Sequence, residues 1–243
     1  MHSFQPDVGR LMRLAMRERL LPPGDDLGYA LHVVLAASFA DASPKPFTWC
    51  APGATPRGPA RLLCYSATAL DALVIHASRF ADPAFLSVLD LASAASKEMP
   101  TSFADGSRLN FRLRVRPVLR TGKERDGSGG KERDAYLDNS ESLSGKTRGE
   151  CYIAWMGERM AANGARLERA ALHSFQLTRL MTRDRSSAKS RIDAPTGPDA
   201  VVGGTLAVTD TAAFSQLLAR GIGRFRAFGF GMLLLAPPTH TEP

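Results

Sequence analysis

The sequence predicts an α+β fold in which two ferredoxin-like (RRM-like) domains with antiparallel sheets follow one another in tandem. Three observations lead to this fold class. Segments with helical periodicity alternate with short segments of strand periodicity, neighbouring strands are separated by turn residues, and 243 residues accommodate two such units. We expect a first domain at residues 1–120, a mobile charged loop at 121–149 and a second domain at 150–243.

The first domain is predicted to follow the order β-α-β-β-α-β. Its first element, Val8–Arg19, fits a strand with period two and equally fits a helix with a basic stripe. Proline and glycine residues at 22–24 then break the chain, and Asp25 and Asp26 are suitable caps for a helix at Leu27–Phe39. The elements expected after that helix are strands at Phe47–Cys50 and Arg61–Tyr65, a helix around Leu70–Ala77, and strands at Phe85–Leu91 and Arg108–Leu119.

The strand at Arg108–Leu119 is the most regular one in the sequence. Its apolar residues alternate with arginines, so that one face is apolar and the other is basic. Arginines that follow one another on one face repel each other, which favours a bound polyanion; a solvated charged face is the alternative. We therefore expect Arg112, Arg114 and Arg116 to contact phosphates, together with Arg120 just beyond them.

The second domain is predicted to follow an incomplete order, α-β-β-α-β. A polar and basic loop at Asp184–Pro198 interrupts it and contains Arg185, Lys189 and Arg191. Asp210 is expected to cap the last helix, which leads into a glycine-rich stretch. The other expected elements are a helix at Tyr152–Ala162, an extended segment at Arg166–Thr182 and a strand at Val201–Val208.

The stretch G-I-G-R-F-R-A-F-G-F-G-M-L-L-L, at Gly221–Leu235, organises the chain. Its four glycines permit positive φ and close backbone approach, and Arg224 and Arg226 stand between them. The apolar run that follows has the length of a buried strand. A loop of this kind suits a phosphate backbone, whereas a tight turn entering a core strand is the alternative. The spacing differs from a dinucleotide-binding fingerprint, and no helix pattern follows it.

The charge of the chain favours a nucleic-acid partner. The net charge is +7, and the cations are 25 arginines and only 6 lysines. Arginine grips phosphate with a planar fork and stacks on bases, whereas a GC-rich genome, which raises Arg and Ala together, is the alternative explanation. Three cysteines without a C-x-x-C pair exclude a disulfide framework and a standard zinc site. With no stretch long enough to span a membrane and no signal peptide, we expect a cytoplasmic protein.

Tyr29 and His32 are the candidate chemical groups of the predicted helix at Leu27–Phe39. Their i, i+3 spacing puts both side chains on one helix face. Histidine titrates near neutral pH and is therefore suited to proton transfer. The structural alternative is a tyrosine and a histidine at the edge of the packed apolar stripe.

Four motifs, in this order, resemble those of a known family. D-L-G-Y-A-L-H, at Asp26–His32, resembles a catalytic Tyr-x-x-His helix, and F-R-L-R-V-R-P, at Phe111–Pro117, resembles a Phe-Arg-Leu-Arg-x-x-Pro strand. V-T-D-T-A-A-F precedes the glycine-rich stretch, which resembles the signature of the repeat-associated RNA-binding superfamily. Together they resemble the CasE-type CRISPR-RNA endoribonucleases of type I-E systems, over Asp26–Pro238; the equivalent subunit of a type IV system is the alternative.

The resemblance implies a reaction, a partner and roles for the residues. The enzyme would bind the stem-loop of a CRISPR repeat and cut at its 3′ base through attack by the 2′-hydroxyl, leaving a 2′,3′-cyclic phosphate. His32 would move protons and Tyr29 would orient the reacting groups, with no metal and no cofactor. The protein would then stay bound as a subunit of the effector complex. Some relatives have a lysine beside the Tyr–His pair, and the nearest lysine here is Lys45.

The RNA is expected to lie on the basic strand, the basic loop and the glycine-rich loop. A non-catalytic scaffold subunit that binds the stem-loop without cutting it is the alternative function. The expected RNA contacts are Arg112, Arg114, Arg116, Arg120, Arg185, Lys189, Arg191, Gly221, Gly223, Arg224, Arg226, Gly229 and Gly231.

Overall fold

The computed structural model describes residues 1–22, 26–51, 58–120, 132–140, 145–184, 191–193 and 195–238. In this part of the chain, helices pack against two four-stranded antiparallel sheets. Each sheet has the strand order of a ferredoxin-like unit, in which the fourth and third strands flank the first. The predicted fold class, with two such units in tandem, is therefore confirmed.

The first sheet has the strand order β2-β3-β1-β4 and every neighbouring pair is antiparallel. Its strands are β1 (His2–Pro6), β2 (Phe47–Cys50), β3 (Arg61–Cys64) and β4 (Leu89–Ser96). The helices of this half are α1 (Val8–Arg17), α2 (Gly28–Phe39), α3 (Leu70–Phe80) and α4 (Pro83–Leu86). Their buried side chains form one core with the sheet, around Phe4, Leu31 and Leu62.

Two segments of the first half need comparison with the sequence prediction: Val8–Arg19, whose pattern fits both a strand and a helix, and Phe85–Leu91, which is expected to be a strand. Val8–Arg19 contains helix α1, because the Asp7 carboxylate accepts a hydrogen bond from Arg10 N at 2.9 Å and Leu11 and Leu14 enter the core. The first strand lies before it. At Phe85–Leu91, Asp82 and Pro83 start the short helix α4, so strand β4 begins only at Leu89.

The second sheet has the strand order β12-β5-β11-β8, again antiparallel throughout. Its strands are β5 (Arg108–Val115), β8 (Ala165–Arg179), β11 (Thr196–Val208) and β12 (Leu234–Ala236). Helices α6 (Arg148–Ala161) and α7 (Thr211–Arg220) cover one face. The smaller elements are β6 (Val118–Arg120), β7 (Glu132–Asp134), α5 (Ala135–Ser140), β9 (Thr182–Asp184) and β10 (Arg191–Asp193).

Strand β5 belongs to the second sheet and not to the first, so the two sheets are divided between residues 96 and 108 rather than at 120. Phe111, Leu113 and Val115 pack in the second core, and β5 pairs with β11 over eight residues, from Ala200↔Val115 to Ala207↔Arg108. The predicted second unit, α-β-β-α-β, lacked a first strand, and β5 is that strand.

The segment expected to be a mobile loop, 121–149, contains regular elements among its described residues. Residues 121–131 and 141–144 lie outside the described residues. Between them, β7 pairs with β6 and α5 follows. The last residues already belong to α6, because Thr147 and Glu150 form a reciprocal capping box at its first turn. Across the described ranges, no helix is both long and apolar enough to cross a bilayer.

Candidate active site and RNA-binding surface

Helix α2 carries Tyr29 and His32 at the edge of the first core. Leu31, Val34 and Leu35 are buried on its inner side, Tyr29 is only 7% exposed and His32 is partly buried. The two aromatic rings lie 6.3 Å apart, as the shared helix face predicts. Asp26 accepts a hydrogen bond from Gly28 N at 2.8 Å and so stabilises the first turn, whereas Asp25 lies outside the described residues.

The glycine-rich loop closes on itself between α7 and β12. Gly221, Gly223, Gly229 and Gly231 have φ of 75°, 76°, 86° and 78°, so the prediction of positive φ is confirmed. Ile222 N donates to Gly231 O at 2.8 Å, and Gly231 N donates to Arg114 O at 2.7 Å. The apolar run after the glycines starts at Met232, but strand β12 begins only at Leu234, where pairing with β5 starts. Met232 and Leu233 are buried ahead of the strand.

The loop and the helix meet through Phe228. Its ring is stacked on Tyr29, with centroids 6.1 Å apart and an interplanar angle of 12°, and lies 4.8 Å from the ring of His32. Gly28 fits against the carbonyl oxygen of Phe228, where a Cβ would overlap it. Two motifs that are about 200 residues apart in sequence therefore form one site.

A cavity of about 640 Å³ opens beside Phe228 and is strongly basic. Arg224 and Arg226 are exposed there. Lys45, whose position relative to the site the sequence did not predict, lines the same cavity from the segment before β2. No local signal relates Lys45 to the loop, because the contact depends on how the two units pack. The side chains that line the cavity include Lys45, Arg220, Arg224, Phe225, Arg226 and Phe228.

Arg120 is also near the glycine-rich loop, through the β6–β7 pair. It is exposed and lies opposite Glu132 in the register of the two strands. Glu132 in turn forms an ion pair with Arg224 Nε at 2.5 Å. The residues that the structure brings together are thus Tyr29, His32 and Phe228 on one side and Arg120, Arg224 and Arg226 on the other.

The arginine row of β5 is not a uniform basic surface. Arg112 is exposed and lines a second cavity, together with Trp49 and Leu234. Arg114 is 19% exposed, and its guanidinium group pairs with Asp26 and Asp199 at 2.7 Å each. Burial opposes the charge of Arg114, but the hydrogen bonds and charges of Asp199 and then Asp26 outweigh it and raise its pKa above the ordinary value.

Arg116 is 2% exposed and lies inside the second unit. Its Nη2 donates to the carbonyl oxygen of Pro195 at 2.7 Å, its guanidinium lies 5.2 Å from the ring centre of Phe225, and burial lowers its pKa. Arg114 and Arg116 are therefore both bonded to other residues of the protein, and Arg116 is also buried, whereas the sequence pattern predicted exposed phosphate contacts. The alternation of the sequence predicted their shared face correctly, but it carries no information on what covers that face.

The basic loop after β8 contributes no described side chain to the site. Arg185 and Lys189 lie outside the described residues, and only the backbone of Arg191 is described, in strand β10. Within the described ranges, no cluster of three or more His, Cys, Asp or Glu side chains has the arrangement of a metal site.

Comparison with known families assigns the chain. The family described as CRISPR associated protein matches residues 11–237, which is almost the whole chain. The chain belongs to this CRISPR-associated family. No curated protein sequence matches this CRISPR-associated protein.

Several solved structures resemble this CRISPR-associated protein in fold. A CRISPR endoribonuclease Cse3 bound to a 19-nucleotide RNA is 20% identical, with a TM-score of 0.63 over 97% of this chain and 99% of that chain. Thermus thermophilus Cse3, bound to an RNA that represents a pre-cleavage complex, is 21% identical, with a TM-score of 0.56 over 97% and 98%. A chain of a CRISPR RNA-guided surveillance complex, pre-nicking, is 19% identical, with a TM-score of 0.54 over 97% and 98%.

The glycine-rich loop of this CRISPR-associated protein is expected to depend most on Gly231. A Cβ at this position would overlap the carbonyl oxygen of Ile222, and φ is 78°. Gly231→Ala should therefore lower stability by at least about 1–2 kcal/mol, which is roughly 2–8 °C in melting temperature. Gly223→Ala is the matched control, because its φ is similar but its nearest neighbour is a Trp155 side-chain atom at 3.0 Å. An equal loss of stability in the two variants, measured by thermal melting, would contradict the close backbone approach at Gly231.

Proposed function

We propose that this protein is a CRISPR-RNA endoribonuclease of the type I-E kind, which cuts the repeat at the 3′ base of its stem-loop without a metal. The single observation that carries the proposal is the packing of Tyr29 and His32 against Phe228, beside the basic cavity that contains Lys45, Arg224 and Arg226. This arrangement combines a proton-transfer group, a hydroxyl and several cations in one place. The likeness to Cse3 structures bound to RNA supports the same function.

The reaction needs groups that move protons and groups that stabilise charge. The 2′-oxygen forms a bond to the phosphorus and loses its proton, while the bond from phosphorus to the 5′-oxygen breaks and that oxygen gains a proton. His32 is the side chain suited to one of these transfers near neutral pH. Tyr29 would orient the 2′-hydroxyl or the phosphate through its phenol group. Phe228 packs against both rings and fixes their positions.

The cations would stabilise the extra negative charge that the phosphate carries in the transition state. Lys45 and Arg226 are two candidates, since they line the cavity together with Phe228. Arg120 and Arg224 would then contact the phosphate backbone of the stem. Arg112 would contact RNA only where a strand enters the second cavity. Because A-form RNA is recognised mainly by shape and backbone, a cluster of this kind suits a stem-loop.

We further propose that the protein keeps its RNA product and works as a subunit of a CRISPR effector complex. The support is its likeness to a chain of an RNA-guided surveillance complex. High affinity for the cut stem-loop would follow from many phosphate contacts, which do not depend on the scissile bond. Binding experiments with cut and uncut repeat RNA should therefore give similar dissociation constants.

The proposed function is tested with the purified protein and its own repeat RNA in an excess of EDTA. One cut is expected at the 3′ base of the stem, with a 2′,3′-cyclic phosphate on the upstream fragment and a 5′-hydroxyl on the downstream one, identified by mass spectrometry. Tight binding without a cut would contradict the nuclease and leave the scaffold function. A cut that requires added Mg²⁺ would contradict the metal-independent route.

The loop arginines are expected to contribute separable phosphate contacts. Arg226→Ala and Arg224→Ala should each weaken RNA binding and lower the slope of log affinity against log salt by about 0.7–0.9, the value for one lost contact. Arg108→Ala is the control: it removes the same charge from a side chain that is 69% exposed and lies roughly 20 Å along β5 from Arg114. Slopes that do not differ from the parent's would show that the two loop arginines make no phosphate contact.

A further inference from the structure

Arg114 connects the start of helix α2 to the end of the glycine-rich loop. Its Nε donates to Asp199 Oδ1 at 2.9 Å, and its Nη2 donates to Asp199 Oδ2 and Asp26 Oδ2, both at 2.7 Å. Its guanidinium group also lies 4.3 Å from the ring centre of Phe230. Arg114 comes from β5, Asp199 from β11, and Asp26 stands two residues before the start of α2, so one side chain joins the two halves of the chain.

The bond to Asp26 reaches the helix that carries the candidate catalytic residues. Asp26 Oδ2 accepts a hydrogen bond from Arg114, and Asp26 Oδ1 accepts one from Gly28 N at 2.8 Å. Gly28 is the first residue of α2. Tyr29 follows immediately, and His32 is one turn later. The side chains of Asp26 and Asp199 are almost completely buried, so their positions are held by these bonds and not by solvent.

The main chain of Arg114 holds the other wall of the site. Its carbonyl oxygen accepts from Gly231 N at 2.7 Å, and its Nη1 lies 3.6 Å from where a Cβ on Gly229 would be. Gly229 follows Phe228, whose ring packs on Tyr29 and His32. A single residue therefore fixes both the start of the helix and the end of the loop that meets it.

The composition of the cluster does not favour a role in stability alone. Two carboxylates share one guanidinium group, and buried ion pairs of this kind are often no more stabilising than apolar residues of similar volume. A phosphate contact is also disfavoured, because Nε and Nη2 are engaged and two buried carboxylates would repel the phosphate. The cluster does fix the relative orientation of Asp26 and Asp199, since the planar guanidinium group of Arg114 sets the angle between the groups that it bonds.

We propose that Arg114 is a positioning residue: through Asp26 and Gly231 it sets the placement of α2 against the glycine-rich loop, and so the rate of the chemical step. The inference rests on the proposed function of the site. A misplacement of about 1 Å costs on the order of 10²-fold in rate when reacting groups must be aligned. RNA affinity, which depends on exposed arginines, should change little.

The test uses three variants of the full chain and one control. Arg114→Gln removes the charge and the fork, and Asp26→Asn keeps an acceptor for Gly28 N but loses the ion pair; the third variant combines the two. Arg108→Gln is the matched control on the same strand. For each protein, the single-turnover cleavage rate at saturating protein, the RNA dissociation constant and the melting temperature are measured.

Arg114→Gln should cleave about 10²-fold more slowly and Asp26→Asn at least about tenfold more slowly, with dissociation constants within about threefold of the parent's. The double variant should be no slower than Arg114→Gln, because both changes break one link. A parental rate at saturation in Asp26→Asn would overturn the proposal, whatever the melting temperature does. Weaker binding with a parental rate would mean that Arg114 contacts phosphate instead.

A second readout does not need cleavage and separates this proposal from the proposed function. The rings of Tyr29 and Phe228 should shift the proton NMR signal of the His32 imidazole in the RNA-free protein, and that signal can be assigned with His32→Gln. Asp26→Asn should move it towards its position in an unstructured peptide, whereas Arg108→Gln should leave it in place. If the parent fails to cut but the signal still moves, the placement of α2 by Arg114 stands, and the nuclease fails together with the effect on its rate. If the signal stays in place in Asp26→Asn, the positioning role fails.

Discussion

His32→Ala is expected to lower the single-turnover rate of repeat cleavage by about 10²–10⁴, the range that general acid–base groups contribute. The residue lies one turn after Tyr29 and 4.8 Å from the ring of Phe228, which itself lines the basic cavity. RNA affinity should change little, because one imidazole adds little to an interface of many arginines. The measurement is cleavage under excess protein, with affinity determined by gel shift on the same sample.

Tyr29→Phe is the matched variant for this prediction. It keeps the ring that packs on Phe228 and removes only the hydroxyl group, so the fold should be unchanged and the loss of rate smaller than for His32→Ala. If His32 were merely part of the packing, His32→Ala would lower the melting temperature and leave the rate per folded molecule intact. Cleavage by His32→Ala at the parental rate would end the catalytic assignment of this helix.

A repeat RNA with 2′-deoxyribose at the nucleotide 5′ of the cut is expected to be bound with full affinity and not cut at all. The modification removes the 2′-hydroxyl, which is the nucleophile of the proposed reaction, so no group of the protein can replace it. The contacts proposed for the basic cavity and the exposed arginines are with phosphates, so binding should not need that hydroxyl. The measurement is cleavage over hours in EDTA, beside a gel-shift titration.

The control RNA carries 2′-deoxyribose one nucleotide further downstream, on the leaving side of the cut. It should be cleaved at nearly the parental rate, since that hydroxyl takes no part in the displacement. Continued cleavage of the first RNA would mean that water or a metal-bound hydroxide attacks the phosphate. In that case the roles given to Tyr29 and His32 would both be wrong.

Short sequence patterns predicted those parts of the site that depend only on neighbouring residues of the chain. An i, i+3 spacing on a helix is enough to put Tyr29 and His32 on one face, and a cluster of four glycines predicts positive φ. At Val8–Arg19 the helical and strand periods both fit, so periodicity did not decide between them. Asp7, which caps α1, is the local signal that selects the helix, and the burial of Leu11 and Leu14 agrees with it.

Contacts between distant segments could not be predicted, because periodicity describes a face and not the neighbour that covers it. Alternation made Arg114 and Arg116 look like surface cations, yet Asp26 and Asp199 cover the first and the second is buried against Pro195 and Phe225. Lys45 has no local motif at all, and its place beside the loop depends on the packing of the two units.

Under the proposed function, the contact between Tyr29 and Phe228 also sets the point in synthesis at which the protein should begin to cut RNA. The contact closes a loop of about 200 residues, and non-local contacts of this length form late because chain entropy opposes them. The first sheet can fold while the rest of the chain is still being made, but the chemical groups on its helix then face no partner. A ribosome-bound chain that ends before residue 220 should therefore neither cut nor retain repeat RNA, and cleavage should begin only when the glycine-rich loop has emerged.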